Sequence, residues 1–467
     1  MNVLWVISDT LRRDHLGCYG NQVIHTPSLD AFAGRSVRFD HHYIAGFPTM
    51  PARADYLTGR WTGSFMNWEP LPKDQVVLPE ILQQKGFNTT AVVDTPFYLR
   101  NEMNYDRSFS TFFEIPGQTL RGGGPDVRAT WRFESDRFAP QTFTKAMQWL
   151  ERHYKEDFFL WVDAWDPHEP WDPPGFYTEL YWPEYDGEIV TPAYDHWQNR
   201  PDLNLTEEKV KKAHACYCGE VTMVDTWFGY FLRRLENMGL MEKTAIIFTS
   251  DHGFYFGEHG GLFGKCTHSR AKRPDGTPWK PGELATEGGR LVLLHGGWGY
   301  SPLYEEVTAI PLLIYAPNTP SGTYRGLTSA IDLAPTVLDI LGQEIPSSME
   351  GQSLLPAMED SSVAGREYVI SGPPFTKPGS PVRWVDDQLR IAEKDSYVTV
   401  TTHEWSLLYA TEPGVSELYH LSSDPKQAKN VINEHPEVAQ ELHQQLVKFL
   451  RETNVSTLLL EPRLELR

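Results

Sequence analysis

Short, nearly continuous apolar runs alternate with amphipathic helical stretches along this chain, and this alternation constrains its fold more than any other feature. Four runs of five or six residues are the clearest: 3–7, 158–162, 244–249 and 310–315. Strands that are apolar on both faces are typical of sheets covered on both sides. Helical patterns such as 76–85 and 221–238 lie between the runs. The sequence therefore predicts an α/β fold with a large, mainly parallel sheet flanked by helices.

The final part of the chain has a different pattern. Its strand-like pieces are short, and they lie at 367–370, 389–392, 397–401 and 406–409. Apolar residues then recur at helical spacing between positions 438 and 450. We therefore predict two parts: a main α/β domain at 1–363, and a small antiparallel sheet packed by one helix at 364–467.

Acidic residues outnumber basic ones in this 467-residue chain, with 62 Asp and Glu against 42 Lys and Arg. The net charge of −20 argues against a nucleic-acid partner, because binding to a phosphate backbone needs a cationic face. No apolar run approaches the roughly 20 residues of a membrane helix, and the opening residues lack the basic segment and cleavage site of a secretory signal. We expect a cytoplasmic protein without a membrane partner, and its oligomeric state is not readable from the sequence.

The four cysteines are too few for a disulfide framework in a chain of this length. Cys216 and Cys218 are spaced C-x-C, which is a weak signal for a pair of metal ligands. Two small buried residues on a helix explain the same spacing more simply, and we favour that interpretation.

Residues 266–302 have the composition of a loop, rich in Gly, Pro and charged residues. Five basic residues outnumber three acidic ones in this segment. On a strongly negative chain, such a segment could act as a lid that attracts an anionic substrate. A solvated surface loop is the alternative, and the sequence does not decide between them.

Polar side chains suited to metal binding or catalysis follow three of the four apolar runs. The first run is followed by Asp9, the second by a stretch from Asp163 to His168, and the third by Asp251 and His252. Parallel strands end at one edge of a sheet, where ligands bind, so these side chains should lie close together. The sequence therefore predicts one shared functional site at that edge.

Residues 47–60, Phe-Pro-Thr-Met-Pro-Ala-Arg-Ala-Asp-Tyr-Leu-Thr-Gly-Arg, resemble the signature of the sulfatase branch of the alkaline phosphatase superfamily. In that signature a nucleophile is followed by x-Pro-x-Arg and by a helix that ends in Leu-Thr-Gly-Arg. Segment 6–20 is similar to the family's first strand and loop, and segment 250–265 is similar to its second metal-binding segment. The resemblance covers most of the chain. It implies an alkaline phosphatase-like fold and a metal-dependent hydrolase of small anionic esters.

The resemblance also implies one divalent metal ion, held by Asp9, Asp251 and His252 with the hydroxyl oxygen of Thr49 as a further ligand. Many relatives carry a second Asp where this chain has Thr10, so the site would hold fewer carboxylates. Mixed oxygen and nitrogen ligands favour Mn²⁺ or Zn²⁺, while Ca²⁺ and Mg²⁺ remain open.

The residues that carry catalysis in the family match Thr49, Arg53, His168 and Lys265 of this chain. Contact with the metal would lower the pKa of the Thr49 hydroxyl and make it the nucleophile. Arg53, one helical turn later, would hold the anion together with Thr49, and Lys265 would neutralise a non-bridging oxygen. His168 would protonate the leaving group or contact the anion, with a packed loop histidine as the alternative.

The residue at the nucleophile position decides which reaction we expect. Ordinary sulfatases carry Cys or Ser there, which is converted to formylglycine, and Thr49 cannot be converted in that way. Threonine nucleophiles are familiar among phosphodiesterases and phosphoryl transferases of the same superfamily. We therefore expect hydrolysis of phosphate or phosphonate esters, with diesters favoured because one metal and one Arg supply little charge for a dianion. Three alternatives stay open: a sulfuric ester hydrolase without formylglycine, a phosphoryl transferase and a non-catalytic anion binder.

Overall fold

The structure is a computed structural model that describes residues 1–66, 69–95, 97–99, 102–115, 130–268, 284–287, 290–293, 298–300, 302–373, 383–385, 388–390, 397–411 and 416–466. Its centre is an eight-stranded mixed sheet. In chain order the strands are β1 (Asn2–Ser8), β2 (Val37–Tyr43), β3 (Asn88–Val93), β4 (Thr111–Glu114), β5 (Phe158–Ala164), β6 (Thr244–Thr249), β7 (Leu312–Tyr315) and β8 (Gly322–Ser329).

The order across the sheet is β8-β2-β7-β6-β1-β5-β3-β4. Strand β7 runs antiparallel to both of its neighbours, whereas every other neighbouring pair in this sheet is parallel. The predicted α/β fold with a large, mainly parallel sheet is therefore confirmed. The apolar run at 310–315 corresponds to the antiparallel strand β7. The sequence pattern predicted this strand but not its direction.

Helices cover both faces of the sheet: α1 (Pro27–Ala33), α2 (Thr49–Thr58), α3 (Leu78–Gln84), α4 (Phe138–His153), α5 (Glu207–Asn237), α6 (Leu333–Ile340) and α7 (Pro436–Glu452). Strand β1 shows why both faces need cover. Val3, Trp5 and Ile7 belong to one core, which includes side chains of α2, α3 and α6. Leu4 and Val6 belong to a second core, built with α1, α4 and α5. Successive side chains of a strand point to opposite faces, so β1 is buried from both sides.

Helix α5 is longer than its sequence pattern at 221–238 suggested, because it begins at Glu207 and has 31 residues. Its start is capped by Thr206, whose side chain accepts a hydrogen bond from the backbone N–H of Lys209. Two acidic residues, Glu207 and Glu208, follow in the first turn, where the helix dipole favours negative charge. The early start places His214 and Tyr217 of α5 beside the loop that follows β1.

The C-terminal part contains a four-stranded antiparallel sheet of β9 (Val369–Ser371), β10 (Val398–Thr401), β11 (Trp405–Tyr409) and β12 (Glu417–His420). Helix α7 packs on it and also reaches the main core, where the rings of Trp61 and Phe449 lie 5.1 Å apart. The small antiparallel sheet and its helix are thus confirmed. The predicted piece at 389–392 is not one of its strands, because Gln388–Arg390 pairs with Arg383–Val385 in a separate two-stranded sheet and β12 takes the fourth place. The boundary between 363 and 364 stays a prediction.

The described chain also contains shorter α-helices and strands. They are the helices Gly175–Thr178, Glu258–Gly261, Glu305–Thr308, Leu355–Glu359 and Thr457–Leu460, and the strands Asp195–His196, Tyr255–Phe256, Leu262–Gly264, Cys266–His268, Leu284–Glu287, Arg290–Leu293, Trp298–Tyr300, Arg383–Val385 and Gln388–Arg390. Most of the predicted lid at 266–302 lies outside the described residues, so its role stays a prediction. Among the described helices, none has an apolar stretch long enough to cross a bilayer.

Candidate active site

Three neighbouring strands deliver acidic side chains to one edge of the sheet. Strand β1 lies between β6 and β5, and Ile7 of β1 is level with both Thr249 and Asp163. Asp9 therefore emerges between Asp163 on one side and Asp251 on the other. The structure brings together the strand ends that the sequence analysis placed at this edge.

Asp9, Asp251 and His252 form a compact group whose ligand atoms lie within 4.8 Å of one another. All three side chains are fully buried. Burial and the neighbouring Asp251 carboxylate raise the pKa of Asp9 to about 6. Asp9 Oδ2 accepts no hydrogen bond from the described residues, although Arg53 Nη2 lies 2.9 Å away. A buried carboxylate oxygen in that position is suited to bind a metal, because a divalent ion would satisfy the oxygen and offset the repulsion between the Asp9 and Asp251 carboxylates.

The imidazole of His252 is oriented for the same purpose. Its Nδ1 donates to the carbonyl oxygen of Gly253 at 3.0 Å, which leaves the lone pair on Nε2 facing the site. Burial and the nearby Lys265 lower the pKa of His252 to about 3, so the ring is neutral at ordinary pH. A neutral imidazole with a free Nε2 lone pair is the form that binds metal ions.

Thr49 is the first residue of α2, and its side chain faces the metal-ligand group. Thr49 Oγ1 lies 3.4 Å from Nε2 of His252. The ring of Phe47, two residues earlier, contacts the His252 ring edge-on at 5.1 Å and closes that side. The partial positive charge at a helix N-terminus favours an oxyanion near Thr49. The threonine is thus placed where a nucleophile would meet an anionic substrate, and its predicted role stays a prediction.

Arg53 is fully buried and bonded mainly to carboxylates. Its Nε and Nη2 donate to the two oxygens of Asp163 at 3.0 and 2.7 Å, and its Nη1 donates to Asp251. Nη1 also donates to the backbone oxygen of Thr49 at 3.2 Å. The structure therefore places Arg53 among the acidic ligands, where it fixes their positions. The predicted binding of a substrate anion by Arg53 is a separate role, and it stays a prediction.

Asp163 is a residue that sequence reasoning flagged only as a strand end. Besides Arg53, it accepts hydrogen bonds from Thr95 Oγ1 at 3.1 Å and from the Tyr98 hydroxyl at 2.6 Å. Trp161 Nε1 in turn donates to Tyr98 Oη at 2.9 Å. The position of Asp163 at the end of β5 was the available signal, whereas its partners could not be read from sequence. Asp163 acts as the buried support that orients Arg53.

Lys265 and His168 meet on the other side of the site. Lys265 Nζ is in hydrogen-bond contact with His168 Nε2, while His168 Nδ1 lies 2.7 Å from the backbone oxygen of Glu169 and 3.1 Å from its carboxylate. The Trp165 ring covers the imidazole at a centroid distance of 3.8 Å. Lys265 also lies close enough to His252 to lower the pKa of that imidazole. The structure thus brings both predicted residues to the edge that holds the metal-ligand group.

Buried acidic side chains outnumber basic ones at this site. Asp9, Asp163, Asp251 and Glu169 are acidic, whereas Arg53 and Lys265 are basic. A divalent ion bound here would offset the excess negative charge.

Comparison with known proteins identifies the family to which these residues belong. The family model described as Sulfatase matches residues 1–343. The chain belongs to the sulfatase family. Within that family, the chain is 25% identical to an arylsulfatase of Clostridium perfringens, an alignment that covers 96% of this chain and 94% of that protein. It is 23% identical to an N-acetylglucosamine-6-O-sulfatase of Bacteroides thetaiotaomicron, over 97% of this chain and 86% of the relative.

Solved structures agree on the fold of this sulfatase-family chain. A phosphonate monoester hydrolase of Agrobacterium radiobacter superimposes with a TM-score of 0.74 at 20% identity, covering 97% of this chain and 96% of the other. Family membership makes this protein an ester hydrolase. The family is metal-dependent, and the ligand atoms of Asp9, Asp251 and His252 lie close enough together to hold one metal ion.

Proposed function

We propose that this sulfatase-family hydrolase cleaves phosphate or phosphonate esters, preferentially singly charged ones such as phosphodiesters, with Thr49 as the nucleophile. The observation that carries the proposal is the position of Thr49 Oγ1, 3.4 Å from Nε2 of His252 in the metal-ligand group. A threonine cannot become formylglycine, so the usual route by which a sulfatase expels sulfate is closed to this chain. Attack at phosphorus needs no such conversion.

The reaction would proceed in two displacements. Thr49 Oγ1 loses its proton to solvent and forms a bond to phosphorus while the bond from phosphorus to the leaving oxygen breaks. His168 or Lys265 gives the leaving alcohol its proton and regains one from solvent. Water then attacks phosphorus, the bond from phosphorus to Thr49 Oγ1 breaks, and the proton that water loses is balanced by the one that Thr49 Oγ1 takes up. A divalent ion at Asp9, Asp251 and His252 would stabilise the negative charge on the reacting oxygens.

The small number of positive groups supports singly charged substrates. A divalent ion would offset the excess acidic charge and leave no surplus positive charge for a dianion, which favours a phosphodiester or a phosphonate monoester. A phosphate monoester carries up to two charges at neutral pH and would be matched less well. For the metal itself, one imidazole among oxygen ligands favours Mn²⁺ or Zn²⁺ over Ca²⁺ or Mg²⁺.

Hydrolysis of sulfuric esters is the second candidate. The relatives named arylsulfatase and N-acetylglucosamine-6-O-sulfatase favour it, whereas the structural likeness to a phosphonate monoester hydrolase favours phosphorus. A sulfate monoester also carries a single charge, so charge does not separate the two. Thr49 separates them, because a sulfothreonine would need a second attack at sulfur to turn over.

The test compares purified, metal-reconstituted protein on four nitrophenyl esters: sulfate, phosphate monoester, phosphate diester and phenylphosphonate. Thr49→Ala is the inactive control, and Thr49→Ser is the matched variant that keeps a hydroxyl. We expect the diester or the phosphonate to turn over fastest, with activity lost in Thr49→Ala and partly kept in Thr49→Ser. A dominant sulfate rate, or full activity in Thr49→Ala, would overturn the proposal. Product that forms only when an acceptor alcohol is present would indicate a transferase instead.

A further inference from the structure

A second group of metal-ligating side chains lies between the loop after β1 and helix α5, apart from the candidate active site. It consists of His15, His214 and Cys218, whose ligand atoms lie within 4.8 Å of one another. His15 Nε2 is 2.7 Å from His214 Nε2, and Cys218 Sγ is 3.7 Å from the same nitrogen of His214. We propose that these three side chains bind a transition-metal ion, with Zn²⁺ the best match for two imidazoles and a thiolate.

The helix geometry explains how two of the ligands converge. His214 and Cys218 are four residues apart on α5, so they lie on the same face one turn from each other. Cys216 is two residues from Cys218 and faces away, toward Tyr185 and Thr178. The C-x-C spacing seen in the sequence is therefore not a ligand pair, whereas His-x-x-x-Cys is one.

The distances between ligand atoms are close to those of a tetrahedral zinc site. With bonds of typical length, two imidazole nitrogens lie about 3.3 Å apart, and a nitrogen and a thiolate sulfur lie about 3.5 Å apart. The sulfur is already near that separation from His214. The two histidine rings would have to move apart by about 0.6 Å, and the ion would take the place of the proton that now lies between their Nε2 atoms.

The histidine from the loop is backed by a carboxylate, as metal-bound histidines usually are. Asp14 Oδ1 lies 2.7 Å from His15 Nδ1, so the proton of His15 sits on Nδ1 and the Nε2 lone pair faces His214. Asp14 is itself fixed by Arg12, whose Nη2 and Nε donate to its two oxygens at 2.7 and 2.9 Å. Arg12 is further held by Glu258 at 2.6 Å.

The group is enclosed, which protects it from solvent. His15 and Cys218 are buried, and His214 is half-buried. The ring of Tyr217 contacts His15 edge-on at 5.2 Å, and the ring of Phe256 contacts His214 at 5.0 Å. His214 Nε2 donates its proton to the lone pair of His15 Nε2, so binding of an ion would displace that proton.

An ion here would join α5 to the loop that carries Asp9. That loop already rests on the helix, because the Tyr217 hydroxyl donates to Thr10 O at 2.8 Å and accepts from Arg12 N at 2.9 Å. A metal bond at His15 would add a second connection a few residues further along. The role of this ion would be structural, since an ion that binds only the folded chain stabilises the fold by mass action.

The experiment replaces the bound metal with Co²⁺ and records the absorption spectrum of the wild type and two variants. A cobalt–thiolate charge-transfer band is expected in the wild type, because the candidate active site contains no thiolate among its ligands. The band should disappear in Cys218→Ser and persist in Cys216→Ser, the matched control on the other face of α5. Zinc analysis should find one ion fewer per chain in Cys218→Ser than in Cys216→Ser.

Zinc absorption-edge spectroscopy of the wild type provides a measurement that needs no variant, should Cys218→Ser fail to fold. A sulfur shell at about 2.3 Å is expected beside nitrogen at about 2.0 Å. Absence of both the cobalt band and the sulfur shell in zinc- or cobalt-loaded wild type would overturn the proposal. So would a cobalt band that survives in folded Cys218→Ser.

Discussion

Arg53 donates hydrogen bonds to both carboxylate oxygens of Asp163, at 3.0 and 2.7 Å, and neither side chain is exposed to solvent. The pair joins helix α2, which carries Thr49, to strand β5. Since the same guanidinium also contacts Asp9 and Asp251, its position determines the geometry of the whole group. A buried pair of this kind holds a geometry in place, even where its net contribution to stability is small.

Asp163→Asn should therefore destabilise the protein by up to about 3–5 kcal/mol, because it removes one of the three carboxylates that offset the buried charge of Arg53. Catalytic turnover should fall about tenfold or more as Arg53 loses its orientation. Tyr98→Phe is the matched control, since it removes one hydrogen bond to Asp163 and leaves the charge pair intact. It should cost about 1.5–3 kcal/mol. Denaturant unfolding and steady-state kinetics would measure both, and wild-type stability in Asp163→Asn would contradict this role.

Thr49→Cys restores the residue that ordinary sulfatases convert to formylglycine. The surrounding signature is already present, since Pro51 and Arg53 follow at the expected spacing. Co-expression with a formylglycine-generating enzyme should therefore give a variant that gains activity on nitrophenyl sulfate and loses diester activity. Thr49→Ser produced in the same cells is the control, with mass spectrometry to detect the aldehyde. A converted Thr49→Cys variant with no sulfatase activity would show that the pocket itself excludes sulfate esters.

Tyr217→Phe should weaken metal binding at the candidate active site without touching a ligand. The lost hydroxyl leaves the buried Thr10 oxygen and Arg12 N–H without their partner, at a cost of about 1–3 kcal/mol. Because Thr10 follows Asp9, the loop that positions this carboxylate should become less well ordered. Calorimetric titration with Mn²⁺ would report the change in affinity. Tyr230→Phe, on an exposed position of the same helix, should leave the affinity unchanged.

His42 gives the protein an acid-sensitive core. This side chain on β2 is fully buried, with Nδ1 2.9 Å from Thr328 Oγ1 of β8, and burial lowers the pKa of the imidazole to about 3. The unfolded chain takes up a proton on this side chain below pH 6.5, whereas the folded chain does not until about pH 3. Stability should therefore fall as the pH drops through that window, by up to about 1.4 kcal/mol per pH unit for this group.

His42→Gln tests that dependence. The difference in unfolding free energy between wild type and variant should shrink or reverse as the pH falls from 6.5 toward 3. Exposed His25 provides the control, because His25→Gln should follow the wild-type profile. A pH-independent difference between wild type and His42→Gln would contradict the assigned burial effect.

The sheet was predictable to the extent that its strands are buried on both faces. Strands β1, β5 and β6 have continuous apolar runs because both sides are covered, and those runs predicted them. Strand β2 alternates buried and partly exposed positions, and β8 carries Gly and Arg, so neither resembled the other runs. The reversed direction of β7 depends on how its connections cross the sheet, which residue pattern does not record.

The candidate site was predictable from strand ends and from the sulfatase signature, but the contacts among its residues were not. Asp163 meets Arg53 because β5 is level with β1 in register and α2 lies against them. His15 meets His214 only because α5 starts early enough to pass the loop after β1. Such contacts depend on packing between elements far apart in sequence, and short-range patterns do not contain them.

The placement of β6 beside β1 has a consequence for how this protein matures. Thr10 and Asp251 are 241 positions apart in the chain and yet are joined by a hydrogen bond of 2.9 Å. A growing polypeptide therefore cannot form the group of Asp9, Asp251 and His252 until more than half of the chain has left the ribosome. Strand β6 must also have inserted beside β1 at the centre of the sheet. Acquisition of metal affinity at Asp9, Asp251 and His252 by a nascent chain would thus mark the moment when that strand docks.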